Sequence, residues 1–323
     1  MFRKFHPIEW RPLMRLAERL AQPLGLVLSL VLLAVVLRQA LTADWSLLSG
    51  SASLSASFWA VLCLYYFITP ATEWLIYSRL WGFHWSIFPA LLRKMVGNEL
   101  LLDYVGDAHF LVWAQSRPPA GSAAFGAIKD TTLLSALTGN LITVALTALA
   151  WPFFAQVTSS LPGRTVLLSL AIVLAVSCGF LLLGKRLFTH PRPTLVTIGA
   201  VLTLRTLAAL LLNAVMWHLL MPGSSLELLF LLATFRMIVS RLPLVPNKEL
   251  LFAGLTLIVL GRSADVSVAT SMIASLILVL HLATGTFLAI THLGLTRKRG
   301  KNASRFVAKR HGTGVESASD ADD

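Results

Sequence analysis

Long apolar runs alternate with short polar breaks along the whole chain. The runs cover 23–41, 55–77, 124–151, 165–184, 194–220 and 267–293. Each is close to or longer than the roughly 20 residues that a helix needs to cross a bilayer. Two shorter apolar arms, 225–240 and 249–262, flank a polar interruption. That interruption, within VSRLPLVPNKELLFAG, holds Arg241, Pro243, Pro246, Asn247, Lys248 and Glu249. Proline lacks the amide proton and clashes with the preceding helical turn, so two of them so close together separate two half-helices. The pattern predicts an all-α polytopic membrane protein with about six to eight transmembrane helices. Two of its helical hairpins are expected to be broken or re-entrant.

Composition agrees with the pattern. Hydrophobic residues make up 56% of the 323 residues, and charged residues only 13%, against about 25% in a soluble domain. The mean hydropathy is +0.75. The net charge of +12 is concentrated at the ends. Arg3, Lys4, Arg11, Arg15 and Arg19 precede the first run, and Arg297, Lys298, Arg299, Lys301, Arg305, Lys309 and Arg310 follow the last. Basic residues beside spans set orientation and attract anionic headgroups, so nucleic acid is not an expected partner. Both termini should be cytoplasmic, in a bacterial-type inner membrane. The expected organisation is a basic amphipathic arm over 1–22, one membrane domain over 23–295 and a disordered tail over 296–323. The first apolar run is read as a span rather than a signal peptide, because a long basic arm precedes it and no small-residue cleavage pattern follows. Cys63 and Cys178 both lie in apolar runs and form no metal or redox spacing.

Loop charges constrain the topology further. Arg79, Arg93 and Lys94 read as an inward loop, as do Lys185, Arg186 and Arg192. Both loops stay inside only if 85–117 enters and leaves by the same face. A re-entrant hairpin from the cytoplasmic side satisfies this, since irregular backbone at membrane depth survives when protein or a water-filled cavity surrounds it. Residues 225–262 pose the same question from the outer face. The two regions are faintly alike, RKMVGNELLLDYVG against RMIVSRLPLVPNKELLFAG. Two hairpins entering from opposite faces would form an inverted repeat, with a site near the midplane.

Ionisable residues in such a chain are costly and normally face a partner or a cavity. Glu99, Asp103 and Asp107 recur at intervals of four, which would place three carboxylates on one helix face. Arg205, Arg236 and Arg241 are the natural counter-cations. With Lys129, Asp130 and Glu249 they make up the candidate substrate-binding set. Glu73, Lys248, His218 and His281 lie nearby, and structural ion pairing is the competing explanation for all of them. Asp103, Asp107 and His109 hint at an oxygen-rich metal site by spacing alone, but no catalytic motif or cofactor loop is present in the sequence, so no metal or cofactor is expected.

Three of these features resemble the membrane region of the lysylphosphatidylglycerol synthase, or flippase-like, family. Gly106-Asp107 resembles its glycine-acid motif, Lys129-Asp130 stands at its charged pair, and Pro243, Pro246 and Glu249 resemble its Pro-x-x-Pro segment with a following Glu. The family usually carries a Glu-Arg pair at the second position and glycines where this chain has Asn247-Lys248. The resemblance runs over most of 20–295, by order of elements more than identity. It implies a lipid-binding or lipid-translocating protein whose partners are membrane lipids, anionic or polyprenyl-linked. The synthase's soluble transferase domain has no counterpart in the sequence, so lysyl-lipid synthesis is not expected. A membrane-embedded transferase, and a structural subunit that docks a soluble partner or a second copy, are the alternatives.

Overall fold

The computed structural model of the chain describes residues 54–82, 84–101, 104–117, 120–157, 187–241, 247–259 and 264–316. All regular structure among them is helical. The elements are α1 (Ala56–Trp81), α2 (Ile87–Leu100), α3 (Val105–Gln115), a single 3-10 turn (Gly121–Ala123), α4 (Ala124–Val157), α5 (Arg192–Leu220), α6 (Leu226–Ser240), α7 (Lys248–Val259) and α8 (Ala264–Glu316). The N-terminal arm, the apolar runs 23–41 and 165–184, Asp103, Pro243 and Pro246 lie outside the described residues.

Among the described residues, four segments are long and apolar enough to cross a membrane: Ala56–Trp81, Ala124–Pro152, Arg192–Leu220 and Asp265–Thr291. They coincide with four of the six long runs read from the sequence. Much of their surface is apolar and faces outward. Leu204 is 70% exposed and Leu211 66% on α5, and Phe287 is 66% exposed on α8. Water does not tolerate contiguous apolar faces of this kind, whereas a bilayer does.

Several threonine hydroxyls inside the helices are satisfied locally. Thr143, Thr147, Thr203, Thr206, Thr256 and Thr270 each donate to the carbonyl four residues back. That bond needs no partner outside the helix itself.

The helices pack as two pairs around α1 and α5, which lie side by side. The α2–α3 pair leans on α1, α4 and α8, and the α6–α7 pair leans on α4, α5 and α8. The main core joins Phe58 and Leu62 of α1, Met216 and Trp217 of α5, Leu232 of α6, Phe252 of α7 and Ile273 of α8. A second core is aromatic, with Tyr77 and Trp81 stacked at 4.6 Å and Phe110 of α3 at 5.1 Å from Tyr77.

One expectation is corrected. Glu99 and Asp107 do not share a helix face, because the helix ends between them. Leu101 leaves helical geometry (φ −100, ψ −90) and Tyr104 is left-handed (φ 72). The backbone of α8 runs on as a helix to Glu316, where the sequence reading expects disorder from 296.

Candidate polar site at the helix breaks

The α2–α3 break is held closed by its own side chains. Gly97 and Gly106 cross so closely that a methyl group on Gly106 would overlap the main-chain carbonyl of Lys94. Asn98, one residue past that crossing, accepts from the Gly106 N–H at 2.8 Å and donates to Asp107 Oδ2 at 2.7 Å. Asp107 sits in the first turn of α3, where a helix N-terminus favours negative charge. It also accepts from Thr132 Oγ1 of α4 at 3.2 Å.

Lys94 is the cation at this break, although its position in the sequence suggested a loop charge. It is only 6% exposed. Its Nζ lies 2.9 Å from Glu73 Oε2 and 3.0 Å from Asp107 Oδ1, and 5.9 Å from the Phe110 ring centroid. Two carboxylates draw the ammonium inward, because a lone buried charge would cost several kcal/mol by desolvation, on the order of the penalty for breaking a buried pair. Arg205 of α5 completes the group, 3.8 Å from Glu73 Oε1 and donating to Ser135 Oγ at 2.8 Å.

The α6–α7 break repeats this construction. Its left-handed residue is Asn247 (φ 53). Its acid is Glu249, in the first turn of α7, and its cation is Arg236, from the preceding half-helix. Arg236 Nε donates to Glu249 Oε2 at 3.2 Å, and its terminal nitrogen bonds both Glu249 Oε1 and the Tyr65 hydroxyl. The guanidinium lies 5.3 Å from the centroid of the Tyr65 ring, whose hydroxyl donates to Glu249 Oε1 at 3.1 Å. Arg236 and Glu249 are 13 residues apart in the chain, as are Lys94 and Asp107. Laid out by structure, the resemblance between the two regions therefore matches Lys94 with Arg236 and Asp107 with Glu249.

The breaks meet directly. The Asn247 N–H donates to the Glu99 carbonyl at 2.9 Å. Lys248 Nζ donates to the Ser240 carbonyl at 3.1 Å, where the exposed carbonyls of a helix C-terminus favour a cation. Arg241 follows α6, and its guanidinium lies against Gly139 of α4, leaving no room there for a side chain. Beside this group Tyr66 donates to Thr284 Oγ1 at 3.0 Å and lies 3.2 Å from His281 Nδ1.

Asp130 is wholly buried and works elsewhere. It accepts from the backbone N–H groups of Thr189 and His190, both at 2.9 Å to Oδ2, and lies 2.8 Å from His190 Nδ1. Lys129 donates to Thr189 Oγ1 at 3.0 Å. This pair anchors the approach to α5 on α4.

The candidate residues thus fall into three places. Asp107 and Arg205 join the Lys94–Glu73 group, and Arg236, Glu249, Arg241 and Glu99 belong to the second break. Lys129 and Asp130 form the anchor. Sequence reasoning missed Lys94, Asn98 and Tyr65. A cation inside an otherwise apolar helical stretch was the available signal for Lys94. Tyrosine carries no formal charge and gave none. Among the described residues no three His, Cys, Asp or Glu side chains converge to hold a metal ion. Comparison with family models, with curated proteins and with solved structures finds no match for this chain.

Proposed function

We propose that the chain is a flippase-like membrane protein that binds or translocates a lipid or lipid-linked headgroup at its broken helices. The observation that supports this most is the partly buried Tyr65–Arg236–Glu249 group at the point where Asn247 is tied to Glu99. Charged side chains at membrane depth are expensive to keep, and half-helix ends supply fixed dipoles for a polar ligand. In this reading α2–α3 and α6–α7 are re-entrant from opposite faces, an inverted repeat set among six spans, in an inner membrane with both termini cytoplasmic. An eight-span arrangement, in which α6 and α7 cross as two short spans, serves the same site. Relationship to the lysylphosphatidylglycerol synthase membrane region is part of the same proposal.

A second reading has its own support. Arg236 pairs with Glu249, and Lys94 with Glu73 and Asp107, which suits a structural scaffold locked by ion pairs. One experiment separates them. The purified chain is reconstituted into vesicles with headgroup-labelled lipids, and transbilayer movement is timed for the wild type and for the charge-free Arg236→Met/Glu249→Leu double variant. The flippase-like reading expects movement in the wild type and its loss in the double variant at unchanged melting temperature. Equal rates in both would sink the site assignment and leave the scaffold.

A further inference from the structure

Asn213 lies in α5, two turns before its C-terminal end, and is 1% exposed. Neither Oδ1 nor Nδ2 has a hydrogen-bond partner among the described residues. Thr203 and Thr206, on the same helix, satisfy their hydroxyls on the carbonyl one turn back. Burying a primary amide with nothing to bond is costly, and such a group calls for an explanation.

The helix register says where Asn213 sits. Along α5, Leu202, Arg205, Ala209, Asn213 and Met216 follow at intervals of three, four, four and three, the spacing of a single helix face. Along α1, Leu62, Tyr65, Thr69, Glu73 and Ile76 follow the same intervals. The two faces meet antiparallel. Ile76 packs with Leu202, Glu73 pairs with Arg205, and Leu62 shares a core with Met216. Three residues from Leu62 along α1 is Tyr65, and three residues back from Met216 along α5 is Asn213. Asn213 therefore stands opposite Tyr65, at the level of the Arg236–Glu249 pair. α5 gives each break one polar residue, Arg205 at the first and Asn213 at the second. Only the first is already bonded.

Resting on the reading of this site as a headgroup site, we infer that Asn213 is a binding residue for an uncharged, hydroxyl-bearing part of that headgroup. A carboxamide offers a donor and an acceptor side by side, which matches a pair of hydroxyls. The guanidinium of Arg236 is already neutralised by Glu249, so the site as a whole does not favour a bare anion. A glycerol or sugar headgroup fits these groups, and an unsubstituted phosphate does not.

The test uses the full chain, Asn213→Leu, and three lipids: glucosyl-diacylglycerol, phosphatidylglycerol and phosphatidic acid. Binding is read as a shift in melting temperature in detergent, separately from transbilayer movement in vesicles. The first two lipids are expected to stabilise the wild type and phosphatidic acid to leave it unmoved. Asn213→Leu removes an unpaired buried amide, so it should melt higher than the wild type without lipid and bind the hydroxylated lipids at least about tenfold more weakly, the discrimination of one good hydrogen bond to an unpaired partner. An unchanged lipid shift in Asn213→Leu would overturn the inference. So would a lower lipid-free melting temperature, equal stabilisation by phosphatidic acid, or no shift with any lipid. A wild type that binds without moving lipid would instead overturn translocation and leave Asn213 in place.

Discussion

The main-chain N–H of Asn247 donates to the main-chain carbonyl of Glu99 at 2.9 Å. These residues are far apart in sequence, each beside a helix break. The bond brings the end of α2 against the start of α7. It also fixes where the second left-handed residue must sit, since the donor is the amide that opens α7.

Asn247 is held at φ 53, a conformation open to Asn and Gly but hostile to β-branched side chains. Asn247→Gly keeps the amide donor, so its melting temperature should stay at or slightly above that of the wild type. Asn247→Val should lose about 1–2 kcal/mol. Thermal unfolding in detergent decides between them, and equal melting of the two variants would refute the backbone constraint.

Arg236 and Glu249 form a mostly buried pair, with side chains 14% and 17% exposed. Removing one partner leaves the other charge uncompensated, which costs about 3–5 kcal/mol, whereas replacing both by apolar residues of similar size is often neutral. Arg236→Met and Glu249→Leu alone should each lower the melting temperature sharply, and together they should restore it. A double variant as unstable as the worse single one would contradict the pairing.

Lys94 serves two carboxylates and Asp107 has three partners. Lys94→Met should cost about 3–5 kcal/mol, because Glu73 and Asp107 lose their shared cation. Asp107→Asn keeps its shape and one acceptor oxygen, so about 1–3 kcal/mol is expected. Denaturant titration of the two variants checks the order, and a larger loss for Asp107→Asn would reverse the assignment of Lys94 as the centre.

Gly106 crosses α2 with no room for a methyl group, while nothing lies within 4 Å of the corresponding position at Gly254 on α7. Gly106→Ala should cost at least about 1–3 kcal/mol by forcing the two helices apart. Gly254→Ala should gain about 0.5–1 kcal/mol from reduced backbone entropy. Melting temperatures of opposite sign relative to the wild type are the expected result.

Much of the fold was legible along the chain. The ranges of α1, α4, α5 and the span within α8 follow the apolar runs, because a helix in a bilayer must be long and apolar over its own length. The arms 225–240 and 249–262 became α6 and α7, which end and begin on either side of the segment that holds Pro243 and Pro246. The break after Leu100 was harder to read, since no proline marks it. It rests on the Gly97–Gly106 crossing and on Asn98, a contact between two segments and not a property of either.

Hydropathy, the extent of the long spans and the proline-marked interruption were therefore determined by the sequence itself, since each depends on neighbours in the chain and on the solvent around them. The pairings were decided by tertiary structure alone. Lys94 looked like a loop charge until Glu73 and Asp107 were found on either side of it, and Glu99 and Asp107 looked like one face until the helix ended between them. Nothing in the sequence singles out Asn213. Its significance comes from the antiparallel register of α1 and α5, which sets it opposite Tyr65. A buried charge or amide is stabilised or left wanting by whatever the fold brings within a few ångströms, and helix packing sets that distance where sequence separation does not.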